Sequence, residues 1–243
     1  MDVTRRSRAW MPEACTECEQ RMTDWLTVRL YDCRNVVERD RGIQAAIDAV
    51  SSGDLVVLPT DTVYGIGADA FKPWAVTNLL SAKGRGRHMP PPVLVGSRHT
   101  LDGLVMRLPS VARDLVEAFW PGALTIVVEQ APSLQWDLGE TGGTVAVRMP
   151  LHPVALEVLR KTGPMAVSSA NLTGQAAALT AEQARDQLSY KVSVYLEAGE
   201  CPSPVPSTIV DVTGDRPRVL RAGAISLDQL REVAPDITAP EEA

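Results

Sequence analysis

Three cations at alternate positions, Lys83, Arg85 and Arg87, are separated only by Gly84 and Gly86, and no Asp or Glu stands beside them in the sequence to neutralise their charge. A solvated surface run is the ordinary reading of such residues. The glycine-opened backbone and the missing acids point instead to an anion, phosphate or carboxylate, as the partner. Two groups of hydrogen-bonding residues lie at the ends of apolar runs: Thr60, Asp61, Thr62 and Tyr64 after Leu55 to Leu58, and Ser168, Ser169 and Asn171 after Met165 to Val167. Arg148 closes a third run just before Pro150. Cations mixed with neutral donors suit recognition of anionic groups. A nucleophilic serine is not expected, because the G-x-S-x-G elbow is absent. No G-x-x-x-x-G-K-[ST] occurs, so any phosphate binding falls to side chains. Gly65, Gly67 and Ala70 fit G-x-G-x-x-A, but Asp61 to Tyr64 separate them from the apolar run and Pro73 delays the helix. The region roughly 20 residues on carries basic groups and prolines where a dinucleotide site needs a ribose-binding acid.

The elements that must hold these residues follow from periodicity. Leu55, Val56, Val57 and Leu58 form a continuous β-favouring run, short enough for a strand buried on both faces and ended by Pro59. Gly65 and Gly67 then read as a turn, using positive φ or a close approach of backbone to ligand. A helix follows with Pro73 in its first turn and Val76, Leu79 and Leu80 on its buried side. Upstream, a strand through Val28 and Leu30 precedes a helix from Val36 or Arg39 to Val50, with Ile43, Ile47 and Val50 on one face, ending before Gly53. Downstream, strands are expected at Pro92 to Val95, Leu124 to Val128, Thr144 to Arg148, Met165 to Val167 and Val192 to Leu196. Helices are expected at Pro109 to Trp120, at His152 to Leu159 and after a Thr180 cap. Ser207 to Val212 and Arg218 to Leu220 read as two strands joined by a turn at Gly214 and Asp215, and Ser226 starts a last helix. Strands alternate with helices but hairpins are inserted, which predicts an α/β fold: a twisted mixed sheet with surrounding helices and ligands at strand ends.

A chain of 243 residues, 45% apolar and 22% charged, suffices for one sizeable core. The expected domain covers 26–232, between a charged, aperiodic extension over 1–25 and a polar tail over 233–243; Met22 is a candidate start of translation. The net charge of -6 argues against non-specific coating of nucleic acid, which relies on a broad basic surface. No apolar run reaches the roughly 20 residues that span a bilayer, and the N-terminus has no signal-peptide core, so the expected location is the cytoplasm. Cys15 and Cys18 have the spacing of half a zinc site, but no second pair follows and the histidines are only at 88, 99 and 152. Reduced thiols are the expectation there.

Seven motifs in order narrow the reading: Leu58-Pro-Thr-Asp-Thr-Val-Tyr-Gly65, Lys83-Gly-Arg85, Phe119-Trp-Pro-Gly122, Val147-Arg-Met-Pro150, Ser168-Ser-Ala-Asn-Leu-Thr-Gly174, Ser207-Thr-Ile-Val-Asp211 and Leu220-Arg-Ala-Gly223. With them, residues 26–232 resemble the YrdC-like threonylcarbamoyl-AMP synthases, in their short, single-domain form. The resemblance implies a YrdC-like sheet around a deep basic cavity, and a reaction joining L-threonine, bicarbonate or CO2, and ATP into threonylcarbamoyl-adenylate and pyrophosphate. It further implies partner proteins that transfer the threonylcarbamoyl group to adenosine 37 of tRNA, weak tRNA contact, no membrane, and Mg2+ carried on the ATP phosphates rather than by protein ligands. The family's KxR and SxN signature falls on Lys83, Arg85, Ser169 and Asn171, the implied catalytic set. These four, with Arg87, Ser207 and Arg221, are the implied ATP contacts. Thr60, Tyr64 and Arg148 are the implied threonine contacts, since a carboxylate asks for an arginine and a β-hydroxyl for hydroxyl partners. Pro90, Pro91 and Pro92 depart from a Pro-Leu pair common at that point in the family.

Two rival readings stay beside this one. The same basic concavity without catalysis would make an RNA-binding module, against which stand the acidic net charge and the occurrence of Phe only at 71 and 119. A carbamoyl-transfer domain of the kind found inside larger maturation enzymes is the second, and this sequence shows none of the accessory domains of such enzymes.

Overall fold

The protein is described here by a computed structural model covering residues 29–240 apart from 203. In chain order its elements are β1 (Arg29–Asp32), α1 (Val36–Ser52), β2 (Val56–Leu58), β3 (Gly65–Asp69), α2 (Pro73–Lys83), β4 (Val93–Leu94), α3 (His99–Leu104), α4 (Ser110–Phe119), β5 (Leu124–Glu129), β6 (Thr144–Arg148), α5 (Pro153–Thr162), β7 (Met165–Ser169), α6 (Ala181–Leu188), a 3-10 turn at Ser189–Lys191, β8 (Val194–Glu197), β9 (Thr208–Asp211), β10 (Arg218–Arg221) and α7 (Leu227–Val233). The strands form one twisted mixed sheet in the order β1-β8-β2-β3-β7-β4-β6-β5-β9-β10. Parallel pairs join β1 to β8, β8 to β2, β4 to β6 and β5 to β9; the remaining neighbours are antiparallel.

The apolar run at β2 lies in the middle of this sheet because both of its faces are covered. Val56 and Leu58 pack with α1 and α5, while Leu55 and Val57 pack with α2 and α6. Val56, Val57 and Leu58 are all fully buried, each contributing about 1.5–3 kcal/mol of hydrophobic stabilisation. A third apolar cluster lies under α3, α4 and α7, around β5, β6 and β9. Local signals set the helix ends. The Asn35 side chain accepts from Val37 and Glu38 N–H at the start of α1, Thr180 caps α6, and Ser226 with Gln229 forms a capping box on α7.

Two expectations change. Gly65 and Gly67 belong to a strand rather than a turn, and neither has positive φ. The close packing of β3 on β7 suits them: a Cβ at Gly65 would stand 2.6 Å from Val167 Cγ1, and one at Gly67 would stand 2.8 Å from Met165 Cε, so a larger residue would make side chains of β7 shift. The segment after 232 is also not simply a polar tail. Ala234 and Ile237 are buried in the third cluster, and Thr238 bridges to Arg218 of β10. The expected strand residue Val28, the extension over 1–25 with Cys15 and Cys18, and the candidate start at Met22 lie outside the described residues. No helix among the described residues is long and apolar enough to cross a membrane.

Candidate active site

A cavity of about 510 Å³ opens along one face of the sheet. Strand alternation supplies much of its wall: Thr125 and Val127 of β5, Ala146 and Arg148 of β6, and Ser207 with Ile209 at β9 all line it. The intervening Val145 and Val147 go to the apolar cluster on the other face, the division expected for β6. The turn from Thr60 to Tyr64, the end of β7 from Val167 to Ser169, and Leu220 and Arg221 of β10 complete the enclosure.

Three arginines from three separate places converge here: Arg85 after α2, Arg148 at the end of β6 and Arg221 at the end of β10. No Asp or Glu is among the described lining residues. Burial pulls the Arg221 guanidinium below its ordinary pKa, and the charges of Arg148 and Arg85 pull it further. Burial acts on Arg85 in the same direction. Arg85 donates from Nη1 to Ser168 Oγ at 3.1 Å, while its buried Nε has no hydrogen-bond partner. Arg221 donates to Ser207, to the carbonyl at 2.7 Å and to Oγ at 3.0 Å. Both thus have neutral acceptors only, the state of a site prepared for an anion.

Arg148 differs. Its Nη2 donates to Asp61 Oδ1 at 2.7 Å, its Nη1 to Thr62 Oγ1 at 3.0 Å and its Nε to the Gly122 carbonyl at 2.9 Å. Of the five N–H groups of a guanidinium, one on each terminal nitrogen is left for a ligand. Thr60 Oγ1 lies 3.1 Å from Thr62 Oγ1 and donates to the Val63 carbonyl, so the turn presents a packed pair of hydroxyls beside this arginine. Ser207 Oγ lies 2.8 Å from Thr125 Oγ1, on the strand paired with the one that carries Arg148.

The structure separates residues that the sequence grouped. Lys83 is not a lining residue: it is the last residue of α2, 3% exposed, and its Nζ donates to the carbonyls of Ser169 at 2.5 Å and Asn171 at 2.6 Å. Burial, then the charge of Arg85, pushes its ammonium down to about 8. Asn171 lines the cavity, yet its Nδ2 donates to the carbonyls of Leu172 and Gln175, so its amide chiefly folds the loop after β7. Ser169 lines the cavity directly. Arg87 does not: it is half exposed and forms a bidentate pair with Asp137, at 2.7 and 3.1 Å. Tyr64 contributes to the wall, but its hydroxyl is engaged with Gly199, Glu197 and Ala198 rather than left for threonine. Thr62 and Ser168, read from the sequence as hydrogen-bonding residues at strand ends, line the cavity, and Thr125 is a lining hydroxyl that the sequence reading missed; it sits in a buried apolar run, where a polar side chain is itself the signal.

The family model Sua5_yciO_yrdC, described as Telomere recombination, matches residues 48–223. The chain belongs to this family. A Mycobacterium tuberculosis (strain H37Rv) protein provisionally named threonylcarbamoyl-AMP synthase is 61% identical over 203 residues, covering 84% of this chain and 94% of the relative. The threonylcarbamoyl-AMP synthase of Bacillus subtilis is 35% identical over 80% of this chain and 57% of its own length. Among solved structures, Pyrococcus abyssi Sua5 complexed with L-threonine superposes with a TM-score of 0.81 at 31% identity, over 88% of this chain. The chain spans 62% of that structure's length. Escherichia coli YciO shares the fold, with a TM-score of 0.72 at 23% identity over 83% of this chain and 97% of YciO.

Proposed function

We propose that this family member catalyses the reaction of the threonylcarbamoyl-AMP synthases: L-threonine, bicarbonate or CO2, and ATP give threonylcarbamoyl-adenylate and pyrophosphate, in the cytoplasm, for modification of adenosine 37 of tRNA. The observation that carries the reading is the convergence of Arg85, Arg148 and Arg221 with threonine and serine hydroxyls in one cavity whose described lining holds no carboxylate. Its volume of about 510 Å³ falls within the roughly 300–1,000 Å³ of small-molecule sites.

The threonine amine takes up CO2 to form a carbamate. A carbamate oxygen then attacks the α-phosphorus of ATP, and the bond from that phosphorus to the bridging oxygen breaks to release pyrophosphate. Both reactants are anions, so their repulsion must be offset before they can meet in line. Arg85 and Arg221, with Ser169 and Ser207, hold the nucleotide's phosphates and the developing charge; preorganised donors of this kind stabilise a transition state without reorganising. Arg148, Thr60 and Thr62 hold threonine, the two spare N–H groups of Arg148 meeting its carboxylate. Lys83 and Asn171 act through the loop after β7, keeping Ser169 in place, and the Lys83 charge adds to the field. Arg87 has no role in the cavity. Val127, Ile209 and Leu220 give the nucleoside an apolar wall. Positioning of two reactants supplies much of the rate.

Among the described residues no group of three or more His, Cys, Asp or Glu side chains is arranged to hold a metal, and the cavity wall offers hydroxyls and cations rather than carboxylates. That donor set does not suit a resident Mg2+. Mg2+ enters with ATP as part of the substrate. The adenylate is unstable, and separate proteins that transfer its threonylcarbamoyl group to tRNA consume it.

The test is pyrophosphate release from Mg-ATP and bicarbonate with and without L-threonine, with mass analysis of the nucleotide product. Threonine-dependent release with the threonylcarbamoyl-adenylate mass is expected, and Arg85→Ala should lower the rate about 10²–10³-fold while the chain stays folded. No threonine-dependent release by the folded protein would overturn the reading.

A further inference from the structure

Glu197, at the end of β8, is a carboxyl only 2% exposed, and it lies outside the cavity lining. Its Oε2 accepts the N–H of Ala181, the first residue of α6, at 2.7 Å. Its Oε1 accepts the N–H of Gly199 and stands 3.2 Å from the Tyr64 hydroxyl. That hydroxyl is fully buried, lies 2.7 Å from the Gly199 carbonyl, and accepts from Ala198 N–H at 3.0 Å. The carboxyl therefore ties together β8, the start of α6 and the residue that leads into β3.

What hangs from this knot is the turn at the arginine-bound end of the cavity. The segment from 197 to 201 grips it at two points: Tyr64 through the hydroxyl, and Thr60 through its carbonyl, which accepts from Cys201 Sγ at 3.5 Å. Between those points lie the Thr60 and Thr62 hydroxyls and Asp61, the partner of Arg148. The Tyr64 backbone is held as well, its N–H by the Ala178 carbonyl at 3.0 Å and its carbonyl by the Ala170 N–H at 2.7 Å, so losing the hydroxyl tie loosens the turn rather than freeing it, and the two hydroxyls shift with it.

We propose that Glu197 is a positioning residue for the threonine end of the cavity, acting through the Tyr64 hydroxyl to set where the turn from Thr60 to Tyr64 stands. The proposal rests on the assignment of that end to threonine under the proposed function. Of the nucleotide end, Arg85, Arg221 and Ser207 share no hydrogen bond with Glu197 or Tyr64, and the link is the Tyr64 carbonyl accepting from Ala170 N–H beside Ser169, so threonine responds more than ATP. Glu197→Gln keeps the shape but turns an NH2 toward a backbone N–H that now meets an acceptor. Tyr64→Phe cuts the same link while leaving the carboxyl in place, and serves if the glutamine variant does not fold.

The experiment measures steady-state KM for L-threonine and for ATP, and hydrogen exchange of the peptide covering 60–64, in the full chain and in both variants. The expected result is a rise in the threonine KM of about tenfold with the ATP KM within about twofold, and faster exchange at 60–64. The double variant should lose less than the sum of the two single losses, because the contact between Glu197 and Tyr64 is counted in both. Equal rises in both KM values, or unchanged threonine KM and unchanged exchange, would overturn the proposal. A wild-type chain without threonine-dependent turnover would instead overturn the reading of the site; exchange at 60–64 alone would then decide whether Glu197 holds the turn, faster exchange supporting that and unchanged exchange refuting it.

Discussion

Replacing Asp61 by Asn removes one charge from a pair whose side chains are only 8% exposed at Arg148 and 13% at Asp61. Its Oδ1 accepts both from Arg148 at 2.7 Å and from the Leu151 N–H at 2.8 Å, so an amide that keeps its oxygen there retains both hydrogen bonds and loses only the charge. Arg148 keeps neutral acceptors at Thr62 and Gly122 but loses its counter-charge while remaining buried. Breaking a buried pair from one side costs about 3–5 kcal/mol, and the surviving neutral acceptors place this case near the lower value. At roughly 2–4 °C per kcal/mol for a chain of this size, the melting temperature should fall by about 6–12 °C. Urea unfolding at neutral pH, followed by tryptophan fluorescence, measures the loss directly, with the slope m unchanged if the native state keeps its compactness. The companion variant is Asp61→Asn with Arg148→Met, which leaves no buried charge without a partner. It should be more stable than the sum of the single losses predicts, with a coupling of at least about 1 kcal/mol. Additivity within about 0.5 kcal/mol, or a loss of under about 1 kcal/mol for Asp61→Asn alone, would show that the two side chains are not energetically paired. Activity offers a second reading, because the same change weakens the charge pair that holds Asp61, between Thr60 and Thr62, against Arg148: on the proposed assignment the threonine KM should rise more than the ATP KM.

The remaining predictions are shorter. Arg87→Ala should leave melting temperature and pyrophosphate release at wild-type values, since its partner Asp137 is a half-exposed surface acid away from the cavity; a large fall in turnover would return Arg87 to the site. Lys83 has a folded pKa of about 8 against an ordinary 10.5, so the unfolded chain binds the extra proton between those values and stability rises with pH across that window. The contribution is present above pH 10.5 and lost as pH falls through about 8, amounts to about 3 kcal/mol at most, and should vanish from urea titrations of Lys83→Met. Gly65→Ala should lower stability by about 1–3 kcal/mol by forcing β3 off Val167, and a neutral result would mean that the valine simply turns aside.

Where the sequence was legible, a single physical cause acted within a short stretch. The run at β2 needed burial on both faces, and the caps at Thr180 and Ser226 needed only neighbours within three residues. The third strand, Gly65–Asp69, has almost no β-forming composition; it is a strand because β2 and β7 bond to it on both sides, which no local pattern records. The alternation of Lys83, Arg85 and Arg87 in sequence does not carry over into space, for a similar reason. Lys83 still belongs to α2, Gly84 takes φ 63 to end that helix, and the chain leaves in a new direction, so three residues that alternate in sequence reach three different surroundings. The acid that neutralises Arg87 stands 50 residues away in sequence, beyond any reading of nearby charges. Arg85, Arg148, Ser169, Asn171, Ser207 and Arg221 were legible as a group and do line one cavity, because each stands at or next to the end of an element, where a sheet of this kind exposes its polar residues.

The arginines also set an order among interactions. Arg148 is neutralised within the protein by Asp61, so its spare N–H groups can meet a carboxylate without the site depending on that ligand for charge balance. Arg85 and Arg221 have only Ser168 and Ser207 as partners, and the charges of Arg148 and Arg85 act against Arg221. An anion at the nucleotide end therefore relieves a repulsion already present in the free protein, whereas an anion at the threonine end adds to an ion pair already satisfied. The nucleotide should gain more from charge, and lose more affinity with added salt, than the amino acid does. On the proposed assignment threonine relies on hydrogen bonds whose geometry the 60–64 turn supplies, which places its recognition under the control of the buried contacts that hold that turn.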